Sequence, residues 1–232
     1  MIKKIGILTI MLFVINFHYA QAAPILIGNA GFEEPILDDG KYSEETPPDW
    51  SLIGDLNKNY FGAWNPMDKD FAGEAPEGFN VGYLEIYETG ALGYLGFSQT
   101  LSDIFITTDT TYVLQVDIGN TPGKSYGGFP GYKIQLLANG AVVAFDDNSL
   151  APSEGNFLTS SISFTPLAEH VGLNDLTIQL LNTNVAGGYE VDFDDVRLNT
   201  VPLSAPMPEP STLLLLASGL AGLAAWRRKK AA

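Results

Sequence analysis

The chain has 232 residues, no cysteine, and 27 acidic against 12 basic side chains, for a formal net charge of −15. Without cysteine no disulfide can hold the fold, so a hydrophobic core or a metal must do it. Six of the twelve cations lie in the two ends. The body from Ala23 to Pro210 therefore carries six cations against 27 carboxylates, a formal charge of −21, which repels phosphate backbones and excludes nucleic acid as a partner.

Taken in chain order, the first segment is an export signal. Lys3 and Lys4 form a positive start, Ile5 to Ile15 is apolar, and Ala20-Gln21-Ala22 is a small-x-small cleavage site. This pattern predicts a signal helix over residues 1–22, the Sec machinery and signal peptidase as partners, and a mature chain from Ala23. The motif Asn29-Ala30-Gly31-Phe32-Glu33-Glu34 follows, then Pro48-Asp49-Trp50. Aromatics crowd the next stretch: Trp50, Tyr60, Phe61, Trp64, Phe71, Phe79, Tyr83, Tyr87 and Tyr94. Large aromatics are mostly buried, and Trp50 and Phe61 read as core. Trp64, between Gly62 and Pro66, is the best candidate for an exposed face on which a sugar ring could stack.

Alternation then predicts strands at Val81–Ile86, Phe97–Leu101, Thr111–Ile118, Tyr132–Leu137, Ala141–Phe145, Ser160–Thr165, Leu176–Leu181 and Tyr189–Leu198. Asn139-Gly140 predicts a type I′ hairpin turn, because both central residues of that turn need positive φ. Leu167–Leu173 holds at most a turn of helix, and His170 within it has no nucleophile at a recognisable spacing. Many short strands and no long amphipathic helix predict an all-β, jelly-roll-like two-sheet sandwich over residues 23–199.

Near the end of the body stands Asp192-Phe193-Asp194-Asp195-Val196. In a jelly roll the first and last strands lie side by side, which would bring Glu33 or Glu34 near Asp194 or Asp195. Clustered carboxylates suit Ca²⁺, a hard cation that takes oxygen ligands. They suit zinc or copper poorly, since the body offers one histidine and no cysteine. Solvated strand-edge acids are the alternative.

A proline-containing linker over residues 200–207 leads to the tail. Pro208-Glu209-Pro210 precedes an uncharged run from Ser211 to Trp226, then Arg227-Arg228-Lys229-Lys230. A 16-residue helix covers about 24 Å, a marginal span of the ~30 Å hydrocarbon core, and the cations after it should stay cytoplasmic. This tail resembles the PEP-CTERM sorting signal of Gram-negative bacteria. The resemblance implies export across the inner membrane, a transient or stable anchor there through a C-terminal transmembrane helix (211–226), and processing by an exosortase that reads Pro208, Glu209, Pro210, Arg227 and Arg228. It further implies a place at the cell surface or in a matrix containing extracellular polysaccharide.

The body carries a second resemblance. Asn29 to Glu33, Pro48-Asp49-Trp50 and Val191 to Leu198 resemble calcium jelly rolls of the carbohydrate-binding-module type, and imply Glu33 and Asp194 as ligands of a structural Ca²⁺. Residues 75–83, 129–132 and 146–149 extend the likeness to the hapalindole-type (Stig) cyclases. That resemblance implies Asp192 as a catalytic acid, with Tyr83 as an aromatic partner. Two functions are thus expected. The first is a calcium-stabilised surface or matrix protein with glycan as the ligand class and Trp64 in its site. The second is a calcium-dependent cyclase acting through Asp192. A purely structural surface protein is the third possibility.

Overall fold

The computed structural model describes residues 22–203, except 58, 89, 124–126 and 185–187. The signal helix, the sorting motif and the transmembrane helix expected at the ends lie outside the described residues. Among the described residues twelve strands build the domain: β1 (Ala23–Ile25), β2 (Tyr42–Ser43), β3 (Ser51–Gly54), β4 (Tyr60–Trp64), β5 (Val81–Glu85), β6 (Leu95–Ser102), β7 (Thr110–Asn120), β8 (Tyr132–Ala138), β9 (Ala141–Asp147), β10 (Asn156–Phe164), β11 (Asp175–Asn182) and β12 (Glu190–Pro202). A 3-10 turn, Ala168–His170, lies between β10 and β11.

One sheet has the order β10-β7-β12-β5-β4-β2, with β1 also on β12; the other has the order β3-β6-β11-β8-β9. All the pairings are antiparallel. Asn139 and Gly140 have φ of 48° and 80°, the positive pair that a type I′ turn between β8 and β9 requires. The core lies between the sheets. Leu114, Val116 and Ile118 of β7 and Val191 and Phe193 of β12 are buried from one side, and Phe97, Ile134, Leu136, Ile178 and Leu180 from the other.

β12 organises the rest. Its first residues pair with β5 (Asp192 opposite Tyr83), and its last pair with β1 (Leu198 opposite Ile25). The expected neighbourhood of first and last strands is therefore present. Val191 and Phe193 point into the core, and so do Val196 and Leu198. That change of parity needs one extra residue, and the register with β7 shifts between Asp194 and Arg197. Asp195, at φ 46°, forms the bulge. β12 also runs through Pro202, with Val201 opposite Thr111 and Pro202 opposite Thr110. Residues 200–202, read above as the start of a linker, thus belong to the sheet because β7 supplies a partner for them.

Candidate functional site

Alternation puts Glu190, Asp192 and Asp194 on the outer face of the first sheet, opposite the core. The same face receives Tyr83 and Glu85 from β5, since Tyr83 stands opposite Asp192 and Glu85 opposite Glu190. Solvent does not reach this part of the face freely, because the chain after β4 crosses it. Phe71 packs its ring 4.5 Å from Phe157 of β10 and 5.8 Å from Trp64 of β4, and Ala72 donates its N–H to the Gly155 carbonyl at 2.9 Å. What remains is a cavity of about 810 Å³. Tyr42, Tyr60, Trp64, Tyr83 and Tyr87 supply its aromatic wall, and Glu85 and Glu190 supply acid.

Beneath it lies a buried carboxyl group. Asp192 is fully buried, and its Oδ2 is 2.5 Å from the Thr121 hydroxyl, which is also 2.6 Å from Glu190 Oε1. One hydroxyl has one proton to donate. Both contacts can be hydrogen bonds only if one of the two carboxyls is itself protonated and donates to Thr121. Burial points the same way, since it disfavours the charged form. It pushes Asp192 up to about 7, against the Thr121 hydrogen bond and aided by Glu85. Burial, then repulsion from Asp192, raises Glu190 well above the ordinary carboxylate range, and burial raises Glu85. Asp192 Oδ1 and Glu85 Oε1 are buried without a hydrogen-bond partner. Backbone approach matters as well: a Cβ on Gly119 would come within 2.5 Å of the Phe157 ring and 2.8 Å of Asp192 Cβ.

The other sequence-predicted residues are placed as follows. Tyr83 is buried, lines the cavity, and donates its hydroxyl to the Ser43 carbonyl at 3.2 Å; burial, with nearby Glu44, raises its pKa. Trp64 is half-buried against Phe71, so it offers a cavity wall rather than an open platform. Trp50 is core, stacked on Phe32 at 5.3 Å. His170 sits in the 3-10 turn, its Nδ1 accepting the Leu167 N–H and its ring edge-on to Phe164.

Glu33 and Asp194 converge on one loop. Glu33 Oε1 accepts the N–H of Phe79 and of Asn80, each at 2.8 Å, while Asp194 Oδ2 accepts that of Glu77 at 2.8 Å. Gly31 has no side chain where the Glu77 carboxylate lies, 1.9 Å from its would-be Cβ. Burial pushes Asp194 up to about 9, with Glu77 and Asp195 adding repulsion, and burial with Glu33 and Asp195 raises Glu77. Glu34 is exposed and stands apart. The donor atoms are all oxygen, as a hard cation needs. Among the described residues, however, no group of three or more His, Cys, Asp or Glu side chains is arranged to hold a metal ion. Glu33 Oε1 and Asp194 Oδ2 each accept backbone N–H groups, which hold both carboxylates on this loop.

Glu85, Glu190, Thr121 and Glu77 were not singled out from the sequence. The one available signal was the period-two run of acids at 190, 192 and 194, which places all three on one face. Thr121 follows β7 in an Asn-Thr-Pro-Gly stretch that carries no chemical signal.

A family model described as HpiC1 cyclase matches residues 23–199, and a model of the PEP-CTERM protein-sorting motif matches residues 208–229. A Stig cyclase, Fisc from Fischerella sp. TAU, solved with (3Z)-3-(1-methyl-2-pyrrolidinylidene)-3H-indole, is 35% identical over 79% of this chain and 100% of its own, with a TM-score of 0.70. A cyclase from the same organism in complex with 4-(1H-indol-3-yl)butan-2-one is 35% identical over the same shares, with a TM-score of 0.69. An α-L-arabinofuranosidase, MgGH51, shares only the fold, at 15% identity and a TM-score of 0.51 over 75% of this chain and 26% of its own. No curated protein matches in sequence. The chain belongs to the HpiC1 cyclase family, and its body is a jelly-roll sandwich like that of the Stig cyclases. Its C-terminal motif makes it an exported protein of a Gram-negative bacterium, sorted at the membrane and processed by an exosortase.

Proposed function

We propose that the cavity binds a compact, electron-rich aromatic ligand of the indole class and delivers a proton to it. The observation that carries this reading is the unit Asp192–Thr121–Glu190, two buried carboxyls around one hydroxyl, of which Glu190 lines the aromatic-walled cavity. A carboxyl kept protonated by burial is a general acid at neutral pH. Asp192 holds the proton, Thr121 relays it, and Glu190 exchanges it at the cavity wall. Protonation of a ring carbon or alkene makes a cation that the faces of Tyr83 and Trp64 stabilise. A neighbouring carbon then loses its own proton to the carboxylate, so isomerisation or cyclisation closes without a co-reactant.

Calcium belongs to this proposal as a structural ion near Glu33 and Asp194, supported by the oxygen donors and their mutual repulsion; no chemical step passes through it. The same reading covers delivery by Sec and signal peptidase, an inner-membrane stage through residues 211–226, and a final place at the cell surface or outside it. One observation supports a second ligand class. Tyr42, Tyr60 and Tyr87 at the cavity rim are 62%, 45% and 50% exposed, which suits stacking on the sugars of an extracellular polysaccharide.

Isothermal calorimetry on the detergent-solubilised chain tests the choice. Saturable one-to-one binding of 4-(1H-indol-3-yl)butan-2-one, weakened at least tenfold by Trp64→Ala and Tyr83→Ala, is expected. Binding of neutral oligosaccharides with no heat from the indole would overturn it in favour of the glycan reading.

A further inference from the structure

The end of the sandwich from which the tail departs carries a cluster of exposed apolar side chains. Phe105, Leu167, Val171, Val201 and Leu203 are 78%, 60%, 56%, 38% and 52% exposed. Three chain segments bring them to one pole. Leu203 donates its N–H to the Asp109 carbonyl at 2.7 Å, and Ile104 and Ile106 donate theirs to Asn174 and Leu173 at 3.0 and 3.1 Å. The Tyr112 hydroxyl reaches the Phe105 carbonyl at 3.3 Å, and the Thr111 and Thr165 hydroxyls meet at 2.8 Å. Single exposed apolar residues need no explanation, but five gathered at one end do.

The length of chain beyond this pole says what can cover it. Eight residue steps separate Leu203 from Ser211, where the uncharged run of the tail begins. Fully extended, they reach at most about 29 Å. While the tail is held in a bilayer, the pole is therefore tethered close to that bilayer at high effective concentration. The opposite end of β12 carries Glu190 and the cavity, about 40 Å away along a 13-residue strand.

We propose that this pole is a lipid-contacting surface, on which the domain stands on the bilayer that receives its tail, with the cavity toward the far end of the domain. Phe105 and Leu203 enter the headgroup region, and the flanking 3-10 turn brings Leu167 and Val171 beside them. Asp103, Asp109, Glu169 and Asp175 lie in the same segments, so the contact is apolar and favours zwitterionic over anionic headgroups. This inference rests on the inner-membrane stage proposed for residues 211–226 and not on what the cavity binds.

The absence of cysteine makes the test clean. Phe105→Cys, Val171→Cys and, as a control, Leu92→Cys would each be made in the full chain and labelled with an environment-sensitive fluorophore. Leu92 is 59% exposed and precedes β6 at the end away from the pole. In vesicles of phosphatidylcholine and phosphatidylethanolamine, the labels at 105 and 171 should shift to the blue. They should also lose at least threefold in quenching by aqueous iodide, with the label at 92 unchanged. Loss of that shielding when phosphatidylglycerol is the major lipid is also expected. Labels at 105 and 171 quenched as readily as at 92 would overturn the proposal, and would leave the patch to a protein partner. Equal melting of the labelled variants in detergent shows that each is folded.

Discussion

At the residue scale, the Asn-x-Gly-Phe-Glu motif has a physical explanation in the fold. The Asn29 side chain exchanges hydrogen bonds with the backbone of Glu34, and its carbonyl accepts the Trp50 indole N–H at 3.0 Å. Phe32 is fully buried against Trp50 and Phe97. This explains why the motif and Pro48-Asp49-Trp50 occur together, and it was legible as a pattern but not as a contact. The acid trio was less legible, since an acid at an alternating strand position ordinarily faces water. Here Phe71, from a segment after β4 with no periodicity of its own, packs beside Trp64 and Phe157 on this face. Two predictions belong at this scale. Gly119→Ala should destabilise the domain by about 1–3 kcal/mol, because the methyl must displace the Phe157 ring and Asp192; a thermal melt reads this. Glu190 has its pKa raised in the folded state, so its contribution to stability is fully present below the ordinary carboxylate range and is lost as pH rises toward the raised value. Glu190→Gln should therefore melt with the wild type near pH 4 and above it at pH 8. A variant less stable than wild type at pH 8 would contradict the buried-acid assignment.

At the element scale, sequence and structure agree where a strand's partner lies close in the chain and one face is buried. The β8–β9 hairpin shows this, with its Asn-Gly turn between two alternating runs. β1 to β4 were missed because they are two to five residues long and owe their existence to distant partners, β3 to β6 and β1 to β12. Alternation has too few residues there to register. The sandwich is also closed by a polar clamp around Asp146. Asp146 of β9 accepts hydrogen bonds from Tyr132 of β8 at 2.5 Å, from the hydroxyl of Ser149 at 2.9 Å, and from Ser160 of β10, which belongs to the other sheet. Tyr132 is fully buried. Asp146→Ala would strand its hydroxyl at a cost of about 1–3 kcal/mol, lowering the melting midpoint by roughly 2–10 °C; an unchanged midpoint would show the clamp to be dispensable.

At the scale of the whole molecule, the chain joins a cyclase-family domain to a membrane-sorting motif. The sorting motif was readable from the C-terminal residues alone, because it is a local pattern that needs no tertiary context. The body's chemistry was not, since it depends on β12, β5 and Thr121 after β7 meeting at one sheet face. The account of the acidic loop at Glu33, Glu77 and Asp194 predicts that Ca²⁺, by binding the folded state, raises the melting midpoint by several degrees. Asp194→Ala should abolish the shift, and an identical midpoint in calcium and in EGTA would remove the ion.

The central claim is proton delivery to a bound aromatic ring, and isotope exchange reads it without knowledge of the natural substrate. The chain would be incubated with 4-(1H-indol-3-yl)butan-2-one in D₂O, and deuterium at the indole ring carbons followed by mass spectrometry. The account predicts exchange at least tenfold above the buffer rate, lost in Asp192→Asn and Glu190→Gln while calorimetric binding is retained. Bound ligand that exchanges no faster than in buffer would contradict it.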